Sequence, residues 1–156
     1  MPLLRPSLLA LLALGACATA PPRVAGGPWS APALDLCPGV AVSNAPATDG
    51  YRRVLAYTPF TAVRTIVIAR APVAGCVSSA YGPRSGGAGS FHEGLDLFTG
   101  SPRAVVAGGD GRVVSAGDRR GYGLTVEIAH GRGVSTLYAH LSSLAPVACA
   151  KGRRSR

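Results

Sequence analysis

Gly121-Tyr122-Gly123-Leu124-Thr125-Val126-Glu127-Ile128-Ala129-His130-Gly131-Arg132-Gly133-Val134-Ser135-Thr136-Leu137-Tyr138-Ala139-His140-Leu141 alternates turns with strands and leaves no room for a helix. The glycine clusters at 121–123 and 131–133 are turn signals. Between them Leu124 to His130 is a β-branched run in which Val126, Ile128 and His130 share one face. Val134 to Leu141 reads as the next strand. Immediately upstream, Arg112 to Ala116 is a further strand, preceded by a turn at Gly108-Gly109-Asp110-Gly111, where Asp-Gly is a hairpin signal. Ala104 to Ala107 reads as an apolar strand before that turn. Further back, Val63, Thr65, Val67 and Ala69 alternate with Arg64, Ile66, Ile68 and Arg70, which reads as one strand closed by Pro72. The expected class is all-β, an antiparallel meander of short strands. With 21 Gly, 13 Pro and only 6% aromatic residues, the core should be built from small aliphatic side chains. The length of 156 residues allows one modest domain.

The chemistry-bearing stretch is Phe91-His92-Glu93-Gly94-Leu95-Asp96-Leu97. In an extended chain His92, Gly94 and Asp96 point the same way. Their first and last backbones would then stand about 13 Å apart, at roughly 3.3 Å per residue. Two ligands of one zinc ion need donor atoms within roughly 3–3.5 Å. The chain must therefore bend, and Gly94 tolerates the bulge. The alternative is a hydrogen-bonded loop pair. His130 ends one strand and His140 the next; each is either a structural hydrogen-bond partner or a participant in the site. Hairpin geometry could bring His140 toward the His92–Asp96 bend.

Residues 1–16 are read as a leader outside that domain. Arg5 gives a positive end, and Leu8 to Leu14 make an apolar run too short to span a bilayer. The run ends in Leu14-Gly15-Ala16-Cys17, which resembles the lipobox of bacterial lipoproteins, with Cys17 as the lipidated residue. By that resemblance, the lack of Asp after Cys17 is compatible with sorting to the outer membrane. Export implies an oxidising compartment, where Cys37, Cys76 and Cys149 are odd in number. A bridge between Cys37 and Cys76 is the expected pairing, leaving Cys149 over. The formal charge of +9 suits an anionic envelope. Nucleic-acid binding is disfavoured by the export signal and by the lack of aromatics interleaved with the basic residues.

Six pieces then occur in one order: Ser79-x-x-Gly82-x-Arg84, His92-x-Gly94-Leu95-Asp96, Ala107-x-x-Asp110-Gly111-x-Val113, Gly121-Tyr122-Gly123, His130-Gly131-x-Gly133 and Tyr138-Ala139-His140-Leu141. Together they resemble the lysostaphin-like, or LytM-type, zinc metallopeptidases, which cut the peptide cross-links of bacterial peptidoglycan. The resemblance implies an all-β antiparallel domain over residues 76–146. It implies His92 and Asp96 as the first two zinc ligands. It also implies His140 as the group that orients or deprotonates the attacking water or stabilises the tetrahedral intermediate, with His130 near the site. Zinc would lower the pKa of its water toward roughly 7 and polarise the scissile carbonyl.

The sequence departs from that family where a His-x-His motif would supply the third ligand, because its three histidines are His92, His130 and His140. Ala145 to Arg156 switches to small and basic residues, which resembles a truncated or out-of-frame end. Zinc is therefore expected to be weakly bound, or absent if no third ligand is supplied. The expected organisation is a lipoprotein signal peptide (1–16), a lipid-anchored linker (17–50), an N-terminal strand segment (51–75), a partial LytM-type domain lacking its last strands (76–146) and a basic tail (147–156). The implied function is peptidoglycan-directed zinc metalloendopeptidase in the cell envelope, in the periplasm and lipid-anchored to the outer or inner membrane. The alternative is a non-catalytic lipoprotein that binds peptidoglycan or activates another wall hydrolase.

Overall fold

The computed structural model describes residues 23–24, 29–41, 43–85 and 91–144, the first pair by backbone alone. Among them ten strands form and no helix. These are β1 (Arg23–Val24), β2 (Phe60–Val63), β3 (Ile66–Ala69), β4 (Cys76–Ser79), β5 (Gly82–Pro83), β6 (Phe91–His92), β7 (Asp96–Phe98), β8 (Gly111–Arg119), β9 (Gly123–Gly131) and β10 (Val134–Leu141). Every pair of named strands is antiparallel, so the chain is all-β as expected. The largest sheet has the order β1-β8-β9-β10. Its two long hairpins turn at the glycine clusters that the sequence marks. Gly111, at the start of β8, is needed for close approach: a Cβ there would lie 2.6 Å from the Ala129 carbonyl oxygen and 2.7 Å from Ile128 Cγ2.

β4 to β7 form one long hairpin, broken on both arms. β4 pairs with β7 (Val77↔Leu97, Ser79↔Asp96) and β5 with β6 (Gly82↔His92). Between β6 and β7 the chain leaves the ladder at Glu93, Gly94 and Leu95, which is the expected bend.

Two expected strands differ. The run from Val63 to Arg70 is a hairpin rather than one strand: β2 and β3 pair across Arg64-Thr65, whose φ values of 48° and 71° are those of a type I′ turn. That turn favours Asn and Gly, so Arg-Thr gave no local signal for it. Ala104 to Ala107 is not a strand. It joins no named strand; Val106 N donates to Pro72 O at 3.0 Å, Val105 and Val106 are exposed, and β8 takes its partners from β9 and β1.

The segment expected as a linker is irregular, yet from residue 29 onward it packs. Ala31 and Leu34 form the main core with Ala71 and Val77, and Leu36, Val54, Tyr57, Ala80 and Leu97 close around them. Backbone bonds lace it to β4: Cys37 N donates to Val77 O at 2.9 Å and Val77 N to Asp35 O at 2.8 Å. Cys37 and Cys76 are joined in a disulfide with Cα atoms 5.0 Å apart. The leader, Cys17, Cys149 and the basic tail lie outside the described residues. Among the described residues no helix is long and apolar enough to cross a membrane.

Candidate metal centre

The broken hairpin of β4 to β7 brings His92, Asp96, Ser79 and Arg84 to one place. Asp96 stands opposite Ser79 in the ladder, and the bend at Gly94 returns its carboxylate to the histidine. His92 Nε2 lies 3.2 Å from Asp96 Oδ1, and the histidine side chain is 16% exposed against 45% for the aspartate. His92 Nδ1 donates to the Ala80 carbonyl oxygen at 2.8 Å. A ring fixed this way carries its proton on Nδ1 and turns the Nε2 lone pair toward the carboxylate, the tautomer a metal-binding histidine needs. Two electron-rich atoms 3.2 Å apart call for a positive centre between them, either a proton on Nε2 or a metal ion. The separation falls in the range of roughly 3–3.5 Å for two donors of one zinc. Gly94 leaves space beside the pair: a Cβ there would stand 3.7 Å from Nε2.

Arg84 supports the aspartate. Its Nη2 lies 3.1 Å from Asp96 Oδ2, and Nε and Nη2 donate to Ser79 Oγ at 3.1 and 2.8 Å. One carboxylate oxygen is thus held by a guanidinium while the other faces His92. The donor set fits half of a zinc site. Among the described residues there is no group of three or more His, Cys, Asp or Glu side chains that could hold a metal.

The other two histidines lie on β9 and β10, and among the described residues neither hydrogen-bonds to His92 or Asp96. His130 uses both ring nitrogens: Nδ1 meets the Asp110 carbonyl oxygen at 2.7 Å, and Nε2 meets Thr136 Oγ1 at 2.9 Å. The chain of bonds continues from Thr136 to the Tyr138 hydroxyl and on to the Gly108 amide, which donates to it at 2.6 Å. Those contacts fasten the turn before β8 to the β9–β10 hairpin, a structural use of the ring.

His140 is exposed and sits in a bulge, where the register jumps from Tyr138↔Val126 to Leu141↔Leu124. Its φ of 55° is unusual for a non-glycine residue, and its amide donates to the Tyr122 carbonyl oxygen at 2.9 Å. Bulges re-aim side chains next to functional sites. His140→Gly is accordingly expected to leave stability unchanged or raised by up to about 1 kcal/mol. Thermal melting checks this, and a lowered melting temperature would count against it.

Residues 90–154 match the family model described as Peptidase family M23. The chain is also similar to the DD-carboxypeptidase/endopeptidase Mpg of Neisseria meningitidis serogroup B and of Neisseria gonorrhoeae. The identity to each is 43% over 53 residues, which is 34% of this chain and 12% of the relative's length. No solved structure matches. His92, Asp96, His130 and His140 fall inside the family match. Ser79, Ala80 and Arg84 precede it, as does Asn44, which bonds to the first two.

Proposed function

We propose that this M23-like chain acts on peptidoglycan as a zinc-dependent endopeptidase, cutting stem or cross-bridge peptides. The observation that carries this is the 3.2 Å approach of His92 Nε2 to Asp96 Oδ1, with the far side of the ring fixed by the Ala80 carbonyl. In this reading His92 and Asp96 hold the metal, and Arg84 keeps the carboxylate turned toward it. Zinc would supply Lewis-acid polarisation of the scissile carbonyl and a more acidic water. His140, exposed at its bulge, would give or take the proton between attacking water and leaving amine. His130 would hold the hairpin that carries His140. The M23 match and the Mpg likeness support a peptidoglycan peptide as substrate.

Peptidoglycan lies outside the cytoplasm, so the same proposal carries an envelope location, reached through the leader of residues 1–16 and a lipid on Cys17. A third metal donor is required, because catalytic zinc ordinarily has three protein ligands. All seven Asp and Glu and all three His are among the described residues. In this reading the third donor comes from outside the described residues, among which no third His, Cys, Asp or Glu stands beside the pair. The presence of two donors rather than three among the described residues is the observation behind a second reading, a non-catalytic peptidoglycan binder or activator of another wall hydrolase. The purified chain, incubated with cell wall and added zinc, separates the two. Peptides released with zinc and not after chelation support the enzyme. Sedimentation with the wall without release supports the binder.

A further inference from the structure

The run from Arg103 to Val106 lies alongside the loop that leads into β4, where Val106 N donates to Pro72 O at 3.0 Å. On the other side of that loop, Ala31 N donates to Ala71 O at 2.9 Å, and the buried Ser30 accepts at Oγ from Ala71 N at 3.0 Å. These bonds fix the backbone just after Trp29 and set its ring beside the loop. The result is an open groove of about 450 Å³ lined by Trp29, Val73, Ala74, Arg103, Ala104 and Val106. Val73 is buried, while Trp29 is 47% exposed. Small-molecule sites ordinarily enclose about 300–1,000 Å³.

The lining side chains are apolar apart from two donors, the Trp29 indole N–H and the Arg103 guanidinium. Among the described residues neither has a hydrogen-bond or ion-pair partner. A ligand that covers the groove takes both from water and must return an acceptor to each, which a wholly apolar ligand cannot do. The guanidinium calls for a carboxylate. The indole offers a flat apolar face with one N–H at its edge. The C–H face of a sugar ring packs on that face, and a hydroxyl or acetamido oxygen accepts from the N–H. The chain's formal charge of +9 favours an acid as well.

We propose that this groove binds an acidic amino sugar, its ring stacked on Trp29 and a carboxylate of its substituent paired with Arg103. This deepens the peptidoglycan reading and rests on it, because the wall glycan consists of N-acetylated sugars that carry acidic peptides. Ala74 precedes Ser79, which stands opposite Asp96 in the β4–β7 ladder, so the groove and the His92–Asp96 pair are at most about 18 Å apart along the backbone. One wall fragment, a sugar with a few peptide residues, can reach both.

Trp29 is the only tryptophan in the chain, so its fluorescence reports this groove alone. The test titrates the full chain, disulfide intact, with the disaccharide-tetrapeptide released from cell wall by a muramidase, with the N-acetylglucosamine disaccharide and with the free tetrapeptide. The first should give a saturable change in emission. The neutral disaccharide should bind about tenfold more weakly, the low end for losing one charge-assisted hydrogen bond. The free tetrapeptide should give no change at the same concentrations. Arg103→Gln should bring the acidic probe down to the affinity of the neutral disaccharide and leave the latter's own affinity unchanged. Calorimetry on Trp29→Ala should show binding of both sugars lost. Emission that neither sugar moves would overturn the proposal. So would a free tetrapeptide that binds as well as the disaccharide-tetrapeptide, or an Arg103→Gln chain that binds the acidic probe as wild type does. Wall peptides released with zinc while Trp29 stays silent would sink the groove and leave the peptidase reading standing. A Trp29 response without release would uphold the groove and replace the peptidase with the binder.

Discussion

His92→Ala is expected to eliminate zinc binding and peptide release together, without unfolding the chain. Losing an outer hydrogen-bond partner of a metal ligand costs about 10–100-fold in affinity or activity. Losing a ligand where two side chains converge among the described residues should exceed that range, taking cleavage to background. The fold should survive because His92 ends a two-residue strand and lies outside the main cluster of Ala31, Leu34, Ala71 and Val77. Asp96→Asn makes the companion case. The amide keeps the shape of the carboxylate but drops the charge that balances Arg84, while Arg84 retains Ser79 Oγ as a partner. It should bind zinc far more weakly and melt close to wild type. Metal analysis, circular dichroism and peptide release on the same preparations check both variants. A folded His92→Ala chain that still releases wall peptides with zinc would place the chemistry elsewhere.

What could be read in the sequence was local. The β9–β10 hairpin follows from β-branched runs between Gly121-Tyr122-Gly123 and Gly131-Arg132-Gly133, signals contained within about ten residues of the turns they specify. The bend at Gly94 followed from a distance requirement alone, since a histidine and an aspartate four apart in a strand cannot share an ion without it. The Arg64-Thr65 turn was hidden because neither residue advertises a positive φ. Ala104 to Ala107 looked like a strand because it is apolar, but an apolar run needs a partner edge, and β9 and β1 occupy those of β8. Asn44 could not be found from spacing: nothing in Val40 to Pro46 predicts a contact across 35 residues. Nor does the sequence foretell the bulge at His140, where one extra residue in β10 turns an ordinary strand-end histidine into an exposed and strained one.

The disulfide carries the second large effect. Cys37→Ala/Cys76→Ala is expected to destabilise the chain by about 4 kcal/mol, the chain-entropy value for a loop of 39 residues. Domains of this kind are stable by about 5–15 kcal/mol, so the bridge supplies a large share. The main core makes that share plausible, since two of its four buried residues, Ala31 and Leu34, belong to the irregular segment that the bridge ties to β4. Without the bridge, that segment is held by a few backbone bonds to β4 and by the packing of small side chains. The same segment delivers Asn44 to Ala80 and Ser79, so its loosening should reach the metal pair before the β8–β10 sheet is affected. Melting should shift down by roughly 10–20 °C on substitution or on reduction of the wild type. At temperatures where the sheet is still folded, zinc affinity should already have fallen. If reduction lowers the melting point and leaves zinc affinity intact, the bridge serves the core alone and Asn44 is held by its own contacts. If neither changes, the packing of residues 29–57 suffices without the covalent tie.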